Sequence, residues 1–132
     1  GREGGPDHAR RVLERVFLAA LGPAAAHTAR ATFAANLFQA GGIEAVHEPA
    51  TVDPATAAEA FRASGATVAC LCSNDTFYAE QAEAVAQALT AAGAARVYLA
   101  GRGEYAGVDA YVFAGCDAVD VLSSTLDRMG VA

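Results

Sequence analysis

At 132 residues the chain is long enough for one continuous core and too short for a large catalytic barrel. It is 54% hydrophobic, has no Trp, draws all its basic charge from arginine and carries a net charge of -6, a balance that repels phosphate backbones and argues against nucleic acid as a partner. No apolar run approaches the roughly 20 residues of a membrane span, the charged amino end predicts no secretory signal, and three cysteines in apolar runs point to reduced thiols in a cytoplasmic protein.

One unit recurs along the chain: a short apolar run, a turn, then an amphipathic helix. Residues 16–20 read as the first strand, and residues 24–39 as a helix with Phe33, Leu37 and Phe38 at helical spacing. Gly41 and Gly42 stop that helix, because glycine tolerates the left-handed conformation of helix ends. Residues 43–47 form the second strand. Asp53-Pro54 starts the next helix, with Asp as cap and Pro at the first helical position, and the helix runs to Ser64-Gly65. Residues 68–71 form the third strand, Ser73-Asn74-Asp75 can cap, and a long helix follows over residues 77–92 up to Gly93. Residues 96–100 are the fourth strand. The Gly-rich turn 101–107 leaves room for a short or imperfect helix only. Residues 110–113 are the fifth strand and residues 119–129 the last helix.

Alternating strands and helices require parallel pairing, because each crossover returns the chain to the same end of the sheet. The predicted fold is therefore α/β, a flavodoxin-like (Rossmann-like) doubly wound sheet of five parallel strands in the order 2-1-3-4-5. Ligands of such sheets bind at the carboxyl ends of the strands, at the switch point between strands one and three. That order sets segment 21–27 beside segment 72–75, with segments 48–53, 101–105 and 114–117 on the same rim. His27, in the turn after the first strand, is the candidate ligand on that rim. Residues 1–15 stand outside the repeat. Gly4-Gly5-Pro6 is a breaker cluster and residues 9–15 can form a short entering helix, so residues 1–15 read as the end of a linker and 16–132 as the domain.

Four runs carry a family resemblance: VFLAALGPAAAHTARATFAANLF, AGGIEAV, VACLCSNDTFYAEQA and AARVYLAGRGEYAGVDAYVFAGCDAVDVL. Through them residues 16–131 resemble the cobalamin-binding domain at the carboxyl end of methylmalonyl-CoA mutases, in the version found in the small, noncatalytic subunit of the heterodimeric bacterial enzyme. Cobalamin-binding members of that family carry Asp-x-His-x-x-Gly after the first strand. Their histidine coordinates cobalt, the aspartate orients the imidazole from behind, and the displaced nucleotide tail enters between strands one and three. A Ser-x-Leu near the third strand and a Gly-Gly after the fourth admit the tail and the ring.

This sequence departs from the pattern. With His27 matched to the cobalt ligand, Ala25 stands at the aspartate and Arg30 at the glycine, where it adds bulk and charge. Cys72-Ser73-Asn74 replaces Ser-x-Leu loosely, and Ala100-Gly101 keeps one glycine of the pair. The resemblance thus implies a degenerate domain, with His27, Ser73 and Gly101 as remnants of the cofactor site and His27 as the one remaining cobalt ligand. It implies no catalytic residue and no cofactor bound by this domain, with adenosylcobalamin in the parent enzyme and a large catalytic subunit as heterodimer partner. That enzyme interconverts methylmalonyl-CoA and succinyl-CoA by a radical rearrangement. The alternative is a functional cobalamin carrier or sensor in which His27 reaches cobalt without its aspartate; a third is an interaction domain whose vacated cleft takes a protein segment. An Arg30 turned to solvent over an open gap favours the carrier, whereas side chains plugging the gap favour the interaction domain.

Other chemistries are weaker. Cys70 and Cys72 share one strand face by the two-residue period, but that spacing is unlike a zinc knuckle. Gly101-Arg102-Gly103 does not open a helix after the first strand, where a dinucleotide fold needs its glycines. Asp75, Glu104, Asp109 and Asp117 are expected near the rim and could hold magnesium as in receiver domains, yet such receivers need acidic residues after the first strand and a lysine after the last. Here Leu21-Gly22 stands at the first place and the chain has no lysine. Ser73 has no histidine and carboxylate pattern around it that marks a nucleophile.

Overall fold

The computed structural model describes residues 15–47, 54–116 and 121. Five parallel strands form one sheet in the order β2-β1-β3-β4-β5, the order the sequence predicts. They are β1 (Arg15–Ala20), β2 (Glu44–His47), β3 (Val68–Cys72), β4 (Arg96–Ala100) and β5 (Ala110–Val112). Helices α1 (Ala24–Ala40) and α2 (Pro54–Ser64) supply the first two crossovers. The third is one continuous helical run in three parts: α3 (Asp75–Phe77), a π-helical stretch (Tyr78–Ala82) and α4 (Glu83–Ala91).

Strand alternation builds two cores. Phe17, Ala19, Leu21, Leu71, Val97 and Leu99 point to the face covered by α2 and α4, where Phe61, Val85 and Leu89 meet them. Val16, Leu18, Cys70, Cys72, Tyr98 and Ala100 point to the opposite face, under Ala31, Ala34 and Phe38 of α1. Central β3 is buried along its whole length, which is why it reads VACLC without a polar residue. The edge-to-face pairs Phe17–Phe61 and Phe38–Tyr98 tie one helix to each face, with ring centroids 6.2 and 5.4 Å apart.

Several boundaries differ by a residue or two from those predicted. The third crossover starts at Asp75 rather than 77, because the Asn74 side chain accepts the Phe77 amide at 3.0 Å and caps the helix earlier. The turn 101–107 contains no helix; its chain bends through Gly101, Gly103 and Gly107, all with positive φ. Arg15 opens β1, while residues 1–14 of the expected linker lie outside the described residues. So do segment 48–53 and, except for helical Val121, the helix expected over 119–129. Among the described residues no helix is long and apolar enough to cross a membrane.

Candidate functional site

At the switch point the β1–β3 ladder continues past the strands. Leu21 N–H donates to the Cys72 carbonyl at 3.1 Å. The Ser73 hydroxyl donates to the Leu21 carbonyl at 2.7 Å, stitching the two loops together. Tyr78 fills the space behind them. Its hydroxyl donates to the Ala100 carbonyl at 2.6 Å, lies 3.2 Å from the Leu71 carbonyl and accepts the Ser73 amide at 2.9 Å. One phenol thus joins the ends of β3 and β4 to the loop after β3. Burial pushes the Tyr78 phenol well above its ordinary value and keeps it a donor.

Arg30 closes the seam from above. Its Nη1 donates to the Ser73 carbonyl at 2.8 Å and to Asp75 Oδ1 at 3.1 Å, and its guanidinium carbon lies 5.5 Å from the centre of the Tyr78 ring. Burial opposes the charge, but the Asp75 hydrogen bond and the field of Tyr78 and Asp75 outweigh it and raise its pKa. Gly101 lies beneath the guanidinium with φ of 140°, and a Cβ there would come within 3.2 Å of the Arg30 guanidinium. On the other side of the seam Phe77 packs against Gly22, where a Cβ would come within 2.7 Å of its ring.

His27 sits in the first turn of α1, with only 5% of its surface exposed. Its Nδ1 is 3.1 Å from the Gly22 carbonyl, so in the tautomer that donates there the backbone does the orienting that an aspartate at position 25 would do. The structure therefore brings His27, Ser73 and Gly101 to one rim. Ser73 spends its hydroxyl on Leu21, and Gly101 admits the Arg30 guanidinium. Sequence reasoning missed Phe77 and Tyr78. Two adjacent aromatics just after an Asn cap were the available signal, since the first turn of a helix after β3 must face the switch point.

The remaining candidates separate. Cys70 and Cys72 do share one face, but both are fully buried under α1, and burial pushes the Cys70 thiol well up. Cys116 follows β5 and is half-buried. Among the described residues no three His, Cys, Asp or Glu side chains form a group able to hold a metal ion. Asp109 is not on the rim. It precedes β5 at the amino end of the sheet, where its carboxylate accepts the Val97 amide and its own amide donates to the Val97 carbonyl, both at 2.8 Å. Asp117 lies outside the described residues.

Sheet order defines a flavodoxin-like α/β domain, a class whose ligands bind at the carboxyl ends of the strands. No family model matches the chain. Among individual proteins it is 79% identical over 118 residues, 89% of its own length, to the methylmalonyl-CoA mutase small subunit of Streptomyces virginiae. It is 42% identical over 122 residues to the probable methylmalonyl-CoA mutase small subunit of Mycobacterium tuberculosis, and 42% identical over 140 residues to the small subunit of Propionibacterium freudenreichii subsp. shermanii. The chain is thus a homologue of one segment of methylmalonyl-CoA mutase small subunits, as its sequence resemblance implies. It spans 19% to 21% of the length of these relatives.

Proposed function

We propose that this chain is a degenerate cobalamin-binding domain of a methylmalonyl-CoA mutase small subunit, retained for assembly with a large catalytic subunit. The observation that carries the reading is the closed β1–β3 seam, where the Leu21 amide donates to the Cys72 carbonyl and the Ser73 hydroxyl to the Leu21 carbonyl, with Tyr78 tying the adjoining ends of β3 and β4. Arg30, anchored on Ser73 and Asp75 instead of turning to solvent, supports it further. The residues present do not fit the cofactor. His27 is oriented, yet opening the seam would leave several buried backbone groups without partners, each worth about 1–3 kcal/mol.

The relatives' names supply the rest of the proposal. A small subunit implies a larger partner, which would carry the isomerisation of methylmalonyl-CoA and succinyl-CoA with its own adenosylcobalamin, in a cytoplasmic heterodimer. In this reading the domain adds surface and stability and no reacting group. A second reading, a cobalamin carrier with His27 on cobalt, rests on the Gly22 carbonyl as a substitute orienting group. Isomerase assays of the chain alone and of the full small subunit with adenosylcobalamin test the first reading. No turnover is expected until a large subunit is added, and turnover by the chain alone would refute it.

A further inference from the structure

We propose that the hollow between α1 and the carboxyl ends of β4 and β5 is a binding site for a small organic oxyanion, a carboxylate or phosphate ester carried on an apolar body. The hollow measures about 500 Å³, within the range of small-molecule sites. Phe33, Val112, Phe113 and Ala114 make it largely apolar. Arg30, Asp75 and Gly101 border it on the side of the seam, while Arg102, Phe33, Val112 and Phe113 lie outside the seam and give the hollow its own charge and apolar lining.

Arg102 gives the hollow its chemistry. Its guanidinium carbon lies 4.3 Å from the centre of the Phe113 ring, and among the described residues no carboxylate pairs with it. Arg15 and Arg30, by contrast, pair with Glu44 and Asp75 at 2.9 and 3.1 Å. An aromatic ring holds a guanidinium by its face and leaves the in-plane N–H donors pointing outward, in the fork that matches two oxygens of a carboxylate or phosphate. The Asp75 carboxylate at the far side of the hollow is neutralised by Arg30. The described lining therefore carries one net positive charge, on Arg102, in a chain whose net charge is -6. One oxyanion on Arg102 with its apolar body against Phe33 and Val112 satisfies both halves of the lining.

Amide NMR titrations of the chain with phenyl phosphate, benzoate, inorganic phosphate and phenol test this directly. The site predicts saturable shifts for phenyl phosphate or benzoate at Gly101, Arg102 and residues 112–114, weaker binding of inorganic phosphate and phenol, and at least about tenfold weaker binding in Arg102→Gln. Arg102 is exposed, so this variant keeps the fold, which its unchanged spectrum elsewhere would show. Absence of saturable shifts with both aromatic anions, equal affinity in Arg102→Gln, or equal affinity for inorganic phosphate would each overturn the proposal. A parallel titration with hydroxocobalamin, read by its visible spectrum, reports on ligation by His27, which does not line the hollow, so the two readings can fail separately.

Discussion

Two neighbouring parts of the same rim have opposite characters. At and beside the β1–β3 seam Tyr78, Ser73 and Arg30 turn onto the protein itself and bind the carbonyls of Ala100, Leu21 and Ser73. At the β4–β5 end an arginine rests on a phenylalanine ring beside an apolar hollow, with no carboxylate partner among the described residues. The difference teaches where a fold of this class has room. A switch point is a gap only while the loops after its two strands stay unbridged, and here the Ser73 hydroxyl on the Leu21 carbonyl joins them while Tyr78 ties β3 to β4 alongside.

Breaking the seam at its centre gives the largest effect. Tyr78→Ala removes a fully buried ring together with three hydrogen-bond contacts and should cost about 3–5 kcal/mol in denaturant unfolding. Tyr78→Phe keeps the ring and separates the two contributions; leaving the Ala100 carbonyl and Ser73 amide without their partner should cost about 1–3 kcal/mol. If the hydroxyl is what binds the seam, the phenylalanine variant alone loosens protection of the Ser73 amide against hydrogen exchange.

Alkali attacks the same place. Burial raises the Cys70 thiol and the Tyr78 phenol above their ordinary values of 9.0 and 10.0, so the unfolded chain gives up these protons first. Their contribution to stability is complete below those ordinary values and is lost as pH rises beyond them. Unfolding midpoints should fall steadily above about pH 9, and more shallowly in Cys70→Ala.

Smaller changes sharpen the comparison. Gly101→Ala places a side chain at a φ of 140° and against the Arg30 guanidinium, and should cost about 1–3 kcal/mol. Arg30→Gln, which gives up the bond to the Ser73 carbonyl, should cost about 1 kcal/mol. Asp75→Ala should stay within about 0.5 kcal/mol, since that carboxylate is largely exposed and the Ser73 carbonyl still holds Arg30. A thermal-melt series on the three variants checks the order, and Asp75→Ala matching Gly101→Ala would contradict the account of the seam.

The sheet was legible in the sequence because its signals are local. Continuous apolar runs such as VACLC mark buried parallel strands, and Gly41, Gly65 and Gly93 follow the three crossover helices before the next strand. Alternation of strands and helices implied parallel pairing, and the position of His27 after β1 located the rim. The closing of the seam was not legible, because it joins residues that neither periodicity nor motif spacing links. Arg30 reaches a carbonyl 43 residues away, and Ser73 one 52 residues away. Tyr78 read as an ordinary helix residue; it opens a π-helical stretch directly after the capped Asp75–Phe77 turn, and its hydroxyl meets carbonyls at two strand ends. Asp109 was misplaced for a related reason: the loop after β4 crosses from the carboxyl to the amino end of the sheet, and nothing in Gly101 to Asp109 marks the point at which it leaves the rim.

The measurement closest to the central claim is an ultraviolet-visible titration of the chain with hydroxocobalamin and adenosylcobalamin, beside a His27→Ala control. A closed seam predicts no spectral change at concentrations well above micromolar. A shift to the base-off, histidine-bound spectrum that disappears in the control would contradict it, and would mean that Tyr78 and Ser73 give way to the cofactor.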